Sequence, residues 1–167
     1  MISVEQIKSI LNLRPHPEEG GYYSETYRSA ASIPGDALPD CYGSARSFST
    51  AIYYLLTPDT FSAMHRLKTD EIFHFYLGDP IEMVQLWPDG SGKLVTLGTD
   101  IAHGMRLQEV VPRGVWQGSA LRAGGAFALL GATVAPGFEF ADYEAGRRKE
   151  LTQQYPEYAE RIRALTR

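Results

Sequence analysis

The chain has a single cysteine, Cys41, so it can neither close an intramolecular disulfide nor build a cysteine-cluster metal site. Sixteen Lys and Arg stand against 20 Asp and Glu, a formal net charge of −4. No basic stripe is present to hold a phosphate backbone or an anionic lipid surface, which argues against nucleic-acid and membrane partners. No apolar run approaches the ~18 residues of a spanning helix. The opening MISVEQIKSILN lacks the basic start and apolar centre of a signal peptide. The one asparagine, Asn12, is not followed by a glycosylation pattern. A soluble cytoplasmic protein is the expectation. Histidine is scarce too: His16, His65, His74 and His103 are the full set, and they limit where metal or acid–base chemistry can sit.

What is abundant is punctuation. Turn signals recur at Pro34-Gly35, Gly78-Asp79-Pro80, Pro88-Asp89-Gly90, Arg113-Gly114, Gly124-Gly125 and Pro136-Gly137. Between them lie short segments rich in Val, Ile, Thr and aromatics, such as Phe48–Leu56, Ile72–Leu77, Ile81–Trp87 and Ala126–Val134. Such residues fit a pleated surface, and short strands at this spacing predict an all-β sandwich or barrel. The ends differ. Ser3 and Gln6 have capping-box spacing ahead of Val4, Ile7 and Leu11 on one helical face, which predicts a helix over 3–12. After Pro156, Tyr158, Ile162 and Leu165 repeat at helical spacing, and 142–166 is expected to be a helical segment. At 167 residues the chain suits one domain, with the barrel over about 21–140.

The most informative stretch is Phe61–Gly78, FSAMHRLKTDEIFHFYLG. It reads as a strand ending near Leu67, a polar turn at Lys68–Asp70 and a second strand to Leu77. His65 and Leu67 share a face, and an antiparallel hairpin would bring Glu71 across from it. A carboxylate that orients an imidazole makes a general base. The same pair is half of a metal site, or simply a buried hydrogen bond. His74 points to the opposite face unless a bulge turns it towards a ligand. The tyrosines at 22, 23, 27, 53 and 54 are strand packing or pocket lining. Arg46 is either a contact for an anionic ligand or an exposed loop cation.

His65-x-Leu67-x3-Glu71-x6-Gly78 is similar to the first cupin motif, His-x-His-x3-Glu-x6-Gly. Pro112-Arg113-Gly114-Val115-Trp116-Gln117 resembles the second, Pro-x-Gly-x2-His. Further blocks carry a likeness to the cupin-5 (DUF985) family, whose members are often labelled predicted sugar epimerases. They are Arg14–Glu18, Gly20–Tyr23, Glu25–Ser29, Ser49–Leu56, Val110–Gln117, Thr133–Phe138 and Phe140–Asp142. A doubled Glu18-Glu19 stands where one Glu is expected before the paired glycines. The resemblance implies a double-stranded β-helix, or jelly-roll barrel, often dimeric and with a ligand cavity inside.

In a metal-binding cupin, three histidines and a glutamate are the ligands. Here Leu67 and Gln117 fill two of those positions; leucine cannot ligate and an amide is a poor ligand for the softer metals. No metal or other cofactor is therefore expected, and only His65 and Glu71 would be available to one. Nucleotide-sugar 3,5-epimerases use the same barrel without metal, with a first-motif histidine as base and a tyrosine as proton donor. That comparison gives His65 the role of base and Glu71 that of its orienting partner. Tyr53, Tyr54 or Tyr27 would be the acid, and Gln117 and Trp116 would contact substrate. The expectation is a homodimeric barrel that binds a small polar molecule, a sugar or nucleotide-sugar derivative among the candidates, and isomerises or epimerises it. The alternatives are a non-catalytic small-molecule binder and a metal-dependent enzyme with a reduced ligand set.

Overall fold

The computed structural model describes residues 2–167. Helix α1 (Val4–Ile10) starts at the capping box: the Ser3 hydroxyl accepts from the Gln6 N–H at 3.2 Å, and the Gln6 side chain accepts from the Ser3 N–H at 2.9 Å. Thirteen strands follow in chain order. The first five are β1 (Arg14–Pro15), β2 (Tyr22–Arg28), β3 (Ser32–Ile33), β4 (Arg46–Ser47) and β5 (Thr50–Leu56). Next come β6 (Phe61–Leu67), β7 (Glu71–Gly78), β8 (Ile81–Leu86), β9 (Gly92–Leu97) and β10 (Gln108–Val111). The last are β11 (Trp116–Leu121), β12 (Ala128–Val134) and β13 (Tyr143–Ala145), with helices α2 (Arg148–Gln154) and α3 (Ala159–Ala164) after them.

Two antiparallel sheets face each other. One has six strands in the order β1-β2-β5-β12-β7-β10, the other five in the order β13-β6-β11-β8-β9. Alternation along each strand sends one set of residues between the sheets and the next set outward. Tyr54, Leu56, Phe73, Phe75 and Leu130 thus meet Ile81, Met83, Val95 and Val115 in the central core. Outward residues are covered by helices: Leu55 and Leu129 pack under Ile7 of α1, and Met64, Val84, Leu86 and Trp116 pack under Leu151, Ile162 and Leu165. Residues 143–145, expected in the helical tail, instead form the edge strand β13, with Tyr143 opposite Leu67 and Ala145 opposite His65.

The Lys68–Asp70 turn does not fold a hairpin. β6 pairs with β11 and β13 while β7 pairs with β12 and β10, so the chain passes from one sheet to the other here. The turn is tied to its surroundings rather than to itself. Asp70 accepts the Arg113 N–H at 2.7 Å, Thr69 donates to the Ala135 carbonyl at 2.9 Å, and the Leu67 carbonyl accepts the Gly114 N–H at 2.9 Å. His65 and Glu71 therefore enter the barrel from opposite sheets.

Candidate functional site

A cavity of about 240 Å³ opens between the sheets at the end where the 16–21 loop and the 138–143 segment meet. Its walls include His16, Glu19, Tyr23, His65, Glu71 and Tyr143, with Leu67, Ile52, Ala132 and Val134 as an apolar lining. It is smaller than the ~300–1,000 Å³ of drug-sized pockets, a fit for one small molecule.

His65 is 1% exposed. Its Nδ1 lies 2.7 Å from the Ala63 carbonyl oxygen. A carbonyl only accepts, so Nδ1 carries a proton, and the other ring nitrogen, Nε2, lies on the side of Glu19, which lines the cavity. The nearest charged group to Nε2 is Glu19 Oε2, at 3.9 Å, too long for a hydrogen bond. The Tyr143 ring stacks on the imidazole with centroids 5.0 Å apart. Burial first, then the charges of Glu19 and Glu18, pushes the Tyr143 hydroxyl well above its ordinary pKa.

Glu19 reaches this position because its loop is stitched to the barrel. Its carbonyl accepts the Ala63 N–H at 2.9 Å, its N–H donates to His16 Nδ1 at 2.9 Å, and its carboxylate accepts from the Ser62 hydroxyl. The next two residues have φ of +100° and +67°, and a Cβ on Gly20 would overlap the Phe61 carbonyl oxygen. Only glycine lets the loop lie this close. His16, accepting a backbone N–H inside the wall, is held below its ordinary pKa chiefly by burial, against the pull of the Glu19 carboxylate.

Glu71 does not orient His65. Its Oε2 accepts from Gln117 Nε2 at 2.7 Å, and among the described residues no hydrogen bond or ion pair joins it to the imidazole. Gln117 is the cross-strand partner of His65, so it points into the barrel beside it and reaches across to Glu71. Burial and the neighbouring Glu19 charge, opposed by the Gln117 hydrogen bond, raise the Glu71 pKa from 4.5 to about 8. The folded protein then holds a proton over this interval that the unfolded chain has released. The group's contribution to stability is full below about pH 4.5 and falls as pH rises towards about 8, by up to about 1.4 kcal/mol per pH unit. Thermal melts of wild type and Glu71→Gln should therefore diverge in favour of the variant between these limits.

The other residues expected at the site lie elsewhere. Trp116 neighbours Gln117 on one strand and so faces outward, packed under the C-terminal helices with the Arg66 guanidinium 4.5 Å from its ring. Tyr53 is outward for the same reason, edge-on to Tyr76. Tyr54 points inward, but it is sealed in the core with its hydroxyl donating to the Gly20 carbonyl at 2.7 Å. Tyr27 follows a bulge in β2 and is exposed. His74 stacks on Tyr76 on the outer face, 3.2 Å from the Thr133 hydroxyl; no bulge turns it inward. Arg46 is neither a ligand contact nor an exposed cation. It is 1% exposed and holds Asp142 through two bonds of 2.7 and 2.6 Å.

Glu19 and Tyr143 line the cavity without having been singled out, His16 lines it with no role expected of it, and Tyr23, expected as strand packing or pocket lining, is pocket lining. The doubled glutamate was the one available signal for Glu19, and it read as a loop variation. The motif positions of a metal-binding cupin do not fit a metal here. Leu67 offers only carbon to the cavity, and the Gln117 amide turns its N–H, a donor, towards Glu71. Among the described residues no group of three or more His, Cys, Asp or Glu is placed to hold an ion, and no helix is long and apolar enough to cross a membrane.

Facing antiparallel sheets around an end-opening cavity define a cupin barrel. Oxalate decarboxylase from Bacillus subtilis shares that fold, with a TM-score of 0.53 at 14% identity, over 92% of this chain and 37% of the other. More particularly, the chain belongs to the cupin-5 family, Cupin superfamily (DUF985), whose profile matches residues 5–146. It is 35% identical over 150 residues to the uncharacterized protein YML079W of Saccharomyces cerevisiae, covering 84% of this chain and 74% of that one. It is similar along its length to a hypothetical protein from Leishmania major (31% identity, TM-score 0.88, 99% of each chain). A protein from Shewanella oneidensis is alike to the same degree (33% identity, TM-score 0.88, 100% and 99% of the two chains).

Proposed function

We propose that this cupin binds a small polar molecule of sugar size in the cavity and isomerises or epimerises it without a metal, with His65 Nε2 as the base that removes a proton alpha to a carbonyl. The observation that carries this reading is the imidazole itself: Nδ1 donates to the Ala63 carbonyl, which leaves Nε2, on the side of the cavity-lining Glu19, as the nitrogen able to take a proton. Aromatic rings at Tyr23, Phe138, Phe140 and Tyr143 offer flat apolar faces to a sugar ring, and the Glu19 carboxylate accepts from hydroxyls. At about 240 Å³ the cavity takes a monosaccharide; in a nucleotide sugar only the sugar would enter.

The test has two stages. Monosaccharides, nucleotide sugars and keto acids are screened for a rise in melting temperature, since a molecule that binds only the folded state stabilises it. Those that bind are incubated with the protein in D2O and followed by NMR. Deuterium entering the carbon beside the carbonyl is the expected result. Stabilisation without deuterium uptake would make the protein a binder and end the catalytic reading.

A further inference from the structure

We propose that Glu71 is the general acid opposite His65: the two groups reach the substrate from facing sheets, so a proton removed on one side is replaced on the other and the carbon is inverted. This rests on the reading of His65 as base and adds to it the identity of the donor and the stereochemical outcome.

Placement is the first argument. His65 stands on β6 of the five-stranded sheet and Glu71 on β7 of the six-stranded sheet, and both line the same cavity. Among the described residues no hydrogen bond or ion pair joins the two side chains, and each borders the cavity from its own sheet. A base and acid on one side would return the proton to the face it left. On opposite sides they epimerise.

The hydrogen bonds are the second argument. Gln117 Nε2 donates to Glu71 Oε2, which leaves Oε1 to carry a proton. Among the described residues no Lys or Arg pairs with this carboxyl, and the charge it feels most is that of Glu19. Burial and that like charge favour its protonated form, the state in which a carboxyl donates.

The tyrosines serve less well. The Tyr54 hydroxyl is committed to the Gly20 carbonyl, and Tyr53 and Tyr27 lie outside the cavity. Tyr143 stacks on His65 and belongs to the same sheet, so it would return a proton to the same face. Tyr23 lines the cavity from the six-stranded sheet, with its hydroxyl accepting from Arg14 at 3.1 Å, and is the competing donor the test must separate.

The step balances within the site. His65 Nε2 takes the carbon-bound proton as the C–H electron pair moves into the carbonyl to form an enolate. The carbonyl re-forms as the carbon takes the Oε1 proton of Glu71 on the far face. Imidazolium and carboxylate then return to their starting forms by proton exchange with solvent.

The test uses the full chain with D-glucose, D-mannose, D-galactose and D-talose in D2O, reading deuterium at C2 and inversion at C2 separately. Glu71→Gln keeps an acceptor for Gln117 and is checked for fold by circular dichroism. It should lose inversion by about 100-fold or more while deuterium still enters through His65. Glu71→Asp should keep measurable inversion, and Tyr53→Phe, on the outer face of the sheet, should leave it in place. Full inversion in Glu71→Gln, or its loss in Tyr23→Phe alone, would overturn Glu71 as the acid and leave His65 standing. No deuterium uptake by wild type into any of the monosaccharides, nucleotide sugars and keto acids that bind would overturn the base reading beneath it. A substrate-free arm reads Glu71 directly by infrared spectroscopy at pH 7. A protonated carboxyl band that shifts in D2O and is missing from Glu71→Gln is expected, and its absence from wild type would overturn the proposal.

Discussion

Asp142→Ala should lower the free energy of unfolding by about 3–5 kcal/mol, the cost of leaving a buried guanidinium without its carboxylate. The Arg46 and Asp142 side chains are 1% and 0% exposed, and Lys68 Nζ stands 3.9 Å from the same carboxylate. Removing Asp142 strands one buried cation and leaves a second unopposed. Arg46 keeps acceptors in the Tyr42, Ser44 and Ala45 carbonyls and the Ser44 hydroxyl, which holds the loss towards the lower figure. Against a typical total of ~5–15 kcal/mol that is still a large fraction. Urea titrations should show a lower midpoint at unchanged slope. The double variant Arg46→Met/Asp142→Leu should recover most of the loss, because an apolar pair of similar volume removes the charge together with its partner. A loss below about 1 kcal/mol would mean that water reaches the guanidinium. The pair joins residues 96 positions apart and ties the segment bearing Phe138, Phe140 and Tyr143 to the β4 region, so it also holds one wall of the cavity.

The same pair marks the limit of what the sequence reveals. Arg46 follows Gly43 and Ser44 in a stretch that reads as exposed loop, and nothing local announces a carboxylate 96 residues on. Local signals transferred well. The Ser3–Gln6 capping box closes within one turn, and the 61–78 block placed His65 and Glu71 on inward faces, because alternation needs only neighbours. Pairing was less legible. A three-residue turn can fold a hairpin or carry the chain between sheets, and the choice here rests on bonds to residues 113, 114 and 135. One error was avoidable: Trp116 and Gln117 are adjacent in a strand, so only one of them can face the cavity, and the same holds for Tyr53 and Tyr54. Glu19 and Tyr143 had no such signal. The first lies in an aperiodic loop, and the second opens a three-residue strand too short to show a period.

His65→Ala should cut turnover by about 10²–10⁴-fold, the range for loss of a general base, or roughly 3–5 kcal/mol of transition-state stabilisation at 1.36 per decade. The fold should survive. The substitution deletes one hydrogen bond, worth about 1 kcal/mol, and the space left by the ring joins the cavity that His65 lines, through which water can reach the freed Ala63 carbonyl. For a chain of this length that is a shift of roughly 2–4 °C in melting temperature, small enough for turnover to be measured on folded protein. Added imidazole discriminates further. The missing ring leaves a space beside Tyr143 and within reach of Glu19, where free imidazole can stack and present a nitrogen to the substrate. Turnover that returns with imidazole concentration assigns the proton transfer to the His65 ring. Turnover that stays lost while the melting temperature falls by much more than this assigns His65 to the fold instead, and the base must then be sought among the carboxylates that face it.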